Sequence, residues 1–365
     1  MTASKAKPQG EPTPVFGLTR ARLRPIVENI AGEPLARFDV RIEHQVQGHY
    51  GYGAEKLIPT FTYTTRSGRT GRQVVFVKWF REPGPREAHH YAWLAKHQAP
   101  IPRMYGALTG PGQREMIVLE YLQRIEDLHP FHRFMNDAAR FPQFLALAAH
   151  FNAIRPSDER AAQLPRRDVA ARLTGALPAL ERIWAHACKG ELGEAMARLC
   201  SSRRDKLSQV RRMAQRLAEP IARMQTGLAH NDFYPDSAGR RRQTGELLAV
   251  DLESVGLAPR FYDAARWLGA PDGVQPRCRP RRELARYYLQ QYARWGGRAV
   301  PMGQFLAEAR ILWRAQTLEM LWFSLRRALD GEVDWTEDRA EGRRVYRQNL
   351  HEKLTGLLDQ ARRQS

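Results

Sequence analysis

The hydrophobic pattern of this chain changes near residue 123, and that change limits the folds it can adopt. Upstream of it the chain is β-rich, and its first predicted strand alternates apolar with polar residues, which is the period of a half-buried strand. One helix is predicted in this part, from Pro85 to about Lys96, because proline suits a first helical turn. The predicted strands are Phe38–Gln47, Lys56–Thr65, Gln73–Phe80, Arg103–Leu108 and Glu115–Tyr121.

Downstream, apolar residues recur every three or four positions, as on the buried face of a helix. The predicted helices are Phe141–Ile154, Arg166–Cys188, Ser202–Gln225, Arg281–Trp295 and Met302–Leu329. One β-like island, His230–Val255, interrupts them. These patterns predict an α+β fold in two parts: residues 15–122 with a small sheet, and residues 123–365 mainly helical. A polar, disordered tail is predicted for residues 1–14.

The formal net charge is +19, from 58 Lys and Arg against 39 Asp and Glu. A basic balance suits a nucleic-acid partner, whose phosphates the basic side chains would neutralise. The arginines are scattered, however, and in Ser202–Gln225 they lie largely off the apolar face, which is typical of a solvated surface. We expect no nucleic-acid partner, and a basic nucleic-acid-binding protein stays an alternative on charge alone.

Cysteine spacing and hydropathy exclude further classes of protein. Cys188, Cys200 and Cys278 lack the paired spacing of a zinc site or a disulfide framework, and this suits a reducing cytoplasm. No run of about 18 apolar residues indicates a membrane span. We therefore expect a soluble, cytoplasmic protein with no membrane partner.

The β-like island contains two acids at a spacing that suits phosphoryl transfer. The first stands in His230-Asn231-Asp232-Phe233-Tyr234-Pro235-Asp236-Ser237, and 19 residues after Asp232 comes Val250-Asp251-Leu252-Glu253. Two acids on loops that flank a short strand pair can converge on one site. Phosphoryl transfer needs one carboxylate to orient and deprotonate a hydroxyl and another to hold magnesium.

This loop resembles that of the aminoglycoside phosphotransferase and choline kinase superfamily, which reads roughly His-Gly-Asp-x-x-x-x-Asn. The resemblance implies a bilobal, protein-kinase-like fold that uses ATP or GTP with Mg²⁺. It gives Asp232 the role of catalytic base and Asp251 that of principal magnesium ligand. It makes His230 a brace of the catalytic loop and Asp263, in Phe261-Tyr262-Asp263-Ala264-Ala265, a structural aspartate.

One position departs from the family pattern. Ser237 stands where the family has a metal-binding asparagine. A hydroxyl is a weaker ligand for magnesium than an amide oxygen, although P-loops do use one. Asp236 or a water could substitute for the asparagine. A pseudokinase-like module that binds a nucleotide without turning it over is therefore an alternative to an active kinase.

The upstream part adds a lysine and a glutamate that fit the same resemblance. Val74-Val75-Phe76-Val77-Lys78 is an apolar strand that ends in a lysine, which matches the family lysine that contacts the α- and β-phosphates. Glu87, one turn into the predicted helix, matches its usual partner. Taken alone, an edge-strand lysine and a favourable first-turn charge would explain both residues.

Two further segments match the nucleotide site of the family. Gly48, Gly51 and Gly53 lie between the first two predicted strands, where a loop that covers the phosphates belongs, but their spacing is not Gly-x-Gly-x-x-Gly. Glu120 and Leu122 match the family hinge, whose backbone groups would hydrogen-bond a purine.

The family's helical part supplies the pocket for the acceptor, so the function predicted here is transfer of a γ-phosphate to a hydroxyl of a small molecule. The acidic segment 330–341, with Trp335 inside it, could bind a cation such as an aminoglycoside by charge and cation–π contact. It could equally be a solvated loop between helices. A sugar, an amino alcohol, a macrolide and a nucleoside-like compound stay open as acceptors.

Overall fold

A computed structural model describes residues 15–46, 54–84, 86–124, 134–201, 204–272, 274, 276–333 and 338–362. The chain divides into two units. The first comprises Met1–Ile125 together with Gly239–Glu253. The second comprises Glu126–Ala238 together with Ser254–Ser365. The predicted tail at residues 1–14 and the three glycines Gly48, Gly51 and Gly53 lie outside the described residues.

The first unit is built on a five-stranded antiparallel sheet in the order β1-β2-β3-β5-β4. Its strands are β1 (Leu35–Val46), β2 (Ala54–Thr65), β3 (Thr70–Pro83), β4 (Met104–Thr109) and β5 (Arg114–Glu120). The five predicted strands are confirmed. Alternation along β3 puts Val75 and Val77 in the hydrophobic core, while Lys78 and Phe80 point to the opposite face of the sheet.

The described residues of this unit form two helices beside the sheet, so the prediction of a single helix in the first part of the chain is wrong. Helix α1 (Arg20–Ala31) contains Pro25. Because proline is unfavourable inside a helix, the sequence does not predict a helix here. The helix forms because Leu23, Ile26 and Val27 pack into the core of the sheet. The predicted helix is present as α2 (Ala88–Lys96).

A later segment of the chain completes the first unit. Strands β6 (Gln123–Arg124), β8 (Ala238–Arg240) and β9 (Leu247–Ala249) form a three-stranded sheet in the order β6-β8-β9. A Cβ atom on Gly239 would lie 2.8 Å from the Cβ atom of Leu122, so this position of β8 requires a glycine. The backbone N–H of Ala249 donates to the carbonyl of Pro100 at 2.7 Å, which fixes the end of β9.

The second unit is mainly helical and contains one two-stranded antiparallel sheet. The pair consists of β7 (Thr226–Ala229) and β10 (Gly256–Pro259). The helices before β7 are α3 (Arg140–Ala153), α4 (Asp158–Gln163), α5 (Val169–Cys188), α6 (Glu194–Ser201) and α7 (Arg204–Ala222). Those after β10 are α8 (Tyr262–Leu268), α9 (Arg281–Arg294), α10 (Met302–Glu319), α11 (Leu321–Asp330) and α12 (Arg339–Arg362).

One predicted helix of this unit is divided. Met302–Leu329 is predicted as a single helix, but the structure breaks it at Met320 into α10 and α11. Apolar residues continue through the break, so the hydrophobic spacing gives no signal of it. None of the described helices is long and apolar enough to cross a membrane.

Close packing of α8 on α10 predicts the effect of one substitution. A Cβ atom on Gly269 would lie 2.0 Å from the carbonyl oxygen of Ala309. Gly269→Ala should therefore lower the free energy of unfolding by about 2 kcal/mol, measured by urea denaturation, because the two backbones must separate. Gly303→Ala is the control, since no atom lies within 4 Å of that Cβ position. Equal stability of the two variants would contradict this packing.

Candidate active site

Lys78 is the centre of a buried ionic cluster in the first unit. Its Nζ lies 2.7 Å from Oε1 of Glu87 and 2.8 Å from Oδ1 of Asp251. The side chains of Lys78 and Glu87 are 7% and 1% exposed, whereas that of Asp251 is 43% exposed. The backbone N–H of Glu253 also donates to Oε1 of Glu87, at 3.1 Å. Three residues that the sequence predicted for one site therefore meet within one unit.

Opposing effects set the charges in this cluster. Burial by itself would lower the pKa of Lys78, but the carboxylates of Asp251 and Glu87 outweigh it and raise the pKa above its ordinary value. Burial raises the pKa of Glu87, and the negative charge of Asp251 adds to that shift while Lys78 opposes it. Lys78 is thus held as a cation, with one of its carboxylate partners open to solvent.

Helix α2 is placed for this contact by a residue on β5. The backbone N–H groups of Arg86, Glu87 and Ala88 all donate to Oε2 of Glu115, at 3.1, 2.7 and 3.2 Å. These are the N–H groups that a helix start leaves without intrahelical partners, and a carboxylate there is favoured by the helix dipole. Glu115 thereby fixes the position of Glu87.

Asp251 adopts a backbone conformation that is uncommon for its residue type. Its φ is 60°, in the left-handed region, which non-glycine residues occupy chiefly at turns and functional sites. It lies two residues after the end of β9, and the N–H of Glu253, two residues further on, donates to Glu87. The exposed carboxylate of Asp251 is therefore presented by a tightly anchored turn.

The predicted hinge also lies in the first unit. The carboxylate of Glu120 pairs with Arg241, Oε1 to Nε at 2.7 Å and Oε2 to Nη2 at 3.0 Å. The backbone N–H of Glu120 donates to the carbonyl of Arg103 at 2.8 Å, so it is not a group that a purine could use. Leu122 is 7% exposed. The role of both residues in purine binding stays a prediction.

The predicted catalytic loop lies in the second unit, directly after β7. His230 is fully buried, and its backbone N–H donates to Oδ2 of Asp263 at 2.8 Å. The N–H of Asn231 donates to Oδ1 of Asp263 at 3.0 Å, and Nδ2 of Asn152 donates to Oδ2 at 2.7 Å. A buried carboxylate that accepts several N–H bonds is strongly anchoring. Asp263 therefore holds the start of the loop against α3 and α8.

Asp232 is exposed, unlike its neighbours on both sides. Asn231, at φ 67°, and the buried ring of Phe233, stacked on Phe144 at 4.4 Å, turn the chain so that Asp232 points outward. Oγ of Ser237 donates to the backbone carbonyl of Asp232 at 2.6 Å and closes the loop. The Asp232 carboxylate makes no hydrogen bond or ion pair with any described residue.

Asp251 and Ser237 are the predicted magnesium ligands, and their side chains suit the ion to different degrees. The described residues contain no cluster of three or more His, Cys, Asp or Glu side chains. Magnesium in kinases is held by one or two carboxylates together with substrate phosphates, so the exposed carboxylate of Asp251 suits it. Ser237 suits it less well, because its hydroxyl is buried and its proton is donated to the carbonyl of Asp232.

Several residues that build the site were not predicted. Glu115, Arg241 and Asn152 each contact a predicted residue from a distant part of the chain. The sequence offers one sign that Asn152 has a structural role, because it is a polar residue on an apolar stretch of a predicted helix. The other two look like ordinary surface charges in the sequence.

Solved structures show the fold to which this arrangement belongs. A spectinomycin phosphotransferase, in complex with ADP and spectinomycin, aligns at a TM-score of 0.51 and 12% identity over 92% of this chain and 98% of its own. A choline kinase from Cryptosporidium parvum aligns at a TM-score of 0.51 and 11% identity over 88% of this chain and 90% of its own.

The chain has the aminoglycoside phosphotransferase and choline kinase-like fold. The predicted α+β class, a small antiparallel sheet with a larger helical part, is confirmed. The sequence matches no family model and no curated protein. At 11% and 12% identity the likeness concerns the fold, so the individual roles of the site residues stay predictions.

The ionic cluster predicts a pattern of stabilities. Lys78→Met should lower the free energy of unfolding by about 3 kcal/mol, because Glu87 is left buried without its cation. Lys78→Met combined with Glu87→Gln should recover most of that loss, since glutamine carries no charge and can still accept from Glu253. Urea denaturation measures both, with Lys96→Met, an exposed lysine on α2, as the control. A double variant as unstable as the single one would contradict this account.

Proposed function

We propose that the protein is a phosphotransferase that moves the γ-phosphate of ATP or GTP to a hydroxyl of a small molecule. The observation that carries the proposal is the contact of Lys78 with both Glu87 and Asp251, at 2.7 and 2.8 Å. The fold shared with a phosphotransferase solved in complex with ADP supports it.

The first unit would hold the nucleotide. Lys78 remains charged and is fixed by Glu87, so it would offer a cation of set position to the α- and β-phosphates. Asp251 would bind Mg²⁺ together with the phosphates, and the ion would neutralise the charge on the phosphoryl group during transfer. We assign nucleotide binding to residues 15–122 together with the segment that ends in Asp251.

The second unit would bind the acceptor and orient its hydroxyl. Asp232 has an exposed carboxylate without a partner among the described residues, so it can accept a proton from a hydroxyl group. His230 makes its contacts from a buried position and would act by holding the loop, with Asp263, rather than by exchanging protons. Catalysis would then consist of positioning and charge neutralisation.

Nucleotide consumption with magnesium tests the proposal. We expect turnover that depends on an acceptor drawn from aminoglycosides, sugars, sugar phosphates, amino alcohols and macrolides, with ATP and GTP assayed separately. Asp232→Ala should lower kcat by at least about 100-fold and leave the nucleotide Kd nearly unchanged, because it removes the proton acceptor alone. Asp251→Ala should raise the nucleotide Kd in the presence of magnesium.

Two results would contradict the assignment. Full turnover by Asp232→Ala would show that the catalytic loop is assigned wrongly. Nucleotide binding without turnover across the whole panel would favour the alternative, a nucleotide-binding module, which the buried and bonded hydroxyl of Ser237 supports. Ser237→Asn would then be the informative variant, since it restores the family's metal-binding amide.

A further inference from the structure

An arginine lies beside the loop that carries Asp232. The guanidinium carbon of Arg266 is 4.1 Å from the centre of the Tyr234 ring, a cation–π contact. Tyr234 in turn is bonded to the loop, since its backbone N–H donates to the carbonyl of Asp232 at 3.2 Å. Arg266 stands one turn after Asp263 on α8, the helix that anchors the loop. All of these residues belong to the second unit.

The guanidinium of Arg266 has no hydrogen bond or ion pair with any described residue. The acids whose charges act on it are Asp232 and Glu319. Glu319 is already paired with Arg167 at 2.5 Å and Arg172 at 2.6 Å. A guanidinium has five donors, and a half-buried one that lacks an acceptor is well suited to an anionic ligand.

Lys353 on α12 is a second cation, and the charge of Arg266 acts on it. Its Nζ donates to Oγ of Ser324 at 3.0 Å and forms no ion pair with a carboxylate of the described residues. Burial lowers the pKa of Lys353 to about 8, and the positive charge of Arg266 adds to the shift. The two cations therefore act on each other, and no carboxylate of the described residues is bonded to either.

The described acids of segment 330–341, near the start of α12, have other partners. Three of its four described acids are paired locally: Asp330 with Arg326 at 3.4 Å, Glu332 with Arg339 at 2.9 Å, and Glu341 with Arg344 at 2.6 Å. The fourth, Asp338, accepts from the backbone N–H of Ala340 at 2.8 Å. Trp335 lies outside the described residues. The support that this segment gave to a cationic acceptor is reduced, because three of its four described carboxylates already have arginine partners.

We propose that the acceptor carries an anionic group of its own, a carboxylate or a phosphate, and that Arg266 and Lys353 bind this group. The inference rests on the proposed function, since it names the acceptor class of the site that contains Asp232. Arg266 would supply paired N–H donors and Lys353 a point charge. The same two cations would repel an aminoglycoside, so they would select against cationic acceptors.

Matched acceptors test the proposal through kinetics. The pairs are glycerol with glycerol 3-phosphate, glycerol with glycerate, and ribose with ribose 5-phosphate; kanamycin and choline are the cationic members. We expect the anionic member to have a KM at least about tenfold lower than its neutral partner. Arg266→Gln should raise that KM by about 10- to 100-fold, the effect of losing a hydrogen bond to a charged group. The KM of the neutral partner should change little.

The variants separate substrate binding from general damage. Arg266→Lys should raise the KM of the anionic acceptor less than Arg266→Gln does. Lys353→Gln should also raise that KM. In each variant kcat should change less than KM. Arg286→Gln, an exposed arginine on α9, is the matched control and should leave both constants unchanged. Thermal unfolding monitored by circular dichroism checks that each variant is folded. Equal or better turnover of neutral or cationic acceptors would overturn the proposal, as would a rise in KM that is the same for every acceptor.

Binding of inorganic phosphate decides the question without turnover. Calorimetric titration of wild type, Arg266→Gln and Lys78→Met distinguishes a phosphate site at Arg266 from one at the nucleotide lysine. Binding weakened at least about tenfold by Arg266→Gln supports the anion site even if no acceptor is turned over, in which case the proposed function alone fails. Phosphate binding that Arg266→Gln leaves unchanged overturns the anion site.

Discussion

The amine of Lys78 lies between two carboxylates, and the arrangement of the first unit depends on that contact. A buried ammonium or carboxylate is tolerated only when a partner of opposite charge and good geometry compensates its lost hydration. Lys78 comes from β3, Glu87 from the start of α2, and Asp251 from the turn after β9. Separating β3 from α2 would leave Lys78 and Glu87 buried without each other, and the partly exposed Asp251 joins the turn after β9 to the same amine. The contact therefore holds the sheet, the helix and the turn together.

The elements of the fold could be predicted where their signal is local. Alternation in Phe38–Gln47 and helical spacing in Phe141–Ile154 both arise from residues that share one face of one element. Helix α1 was not predicted, because it contains Pro25 and is stabilised by its packing on the sheet rather than by a local signal. The break at Met320 was also missed, because Leu318 and Leu321 are buried on either side of it and a continuous apolar stretch gives no sign that the helix ends.

In the candidate site, too, residues in short motifs could be predicted and residues that contact them from distant parts of the chain could not. Lys78, Glu87, Asp232 and Asp251 could be chosen from short motifs and their order. The residues that hold them could not, because they act across the chain: Asn152 reaches Asp263 over 111 positions. Arg266 could not be predicted either, because its contact with the ring of Tyr234 depends on the fold. The fold also pairs Glu319 with Arg167 and Arg172 instead of Arg266.

The return of Gly239–Glu253 to the first unit has a consequence for the order in which the protein is made. Lys78 and Asp251 are 173 positions apart, so a growing chain exposes the lysine long before its second carboxylate has been synthesised. The sheet of the first unit therefore cannot reach its final ionic state when its own strands leave the ribosome. It must wait, with Glu87 as the only carboxylate of this cluster, until the part of the second unit that precedes Gly239 has also emerged.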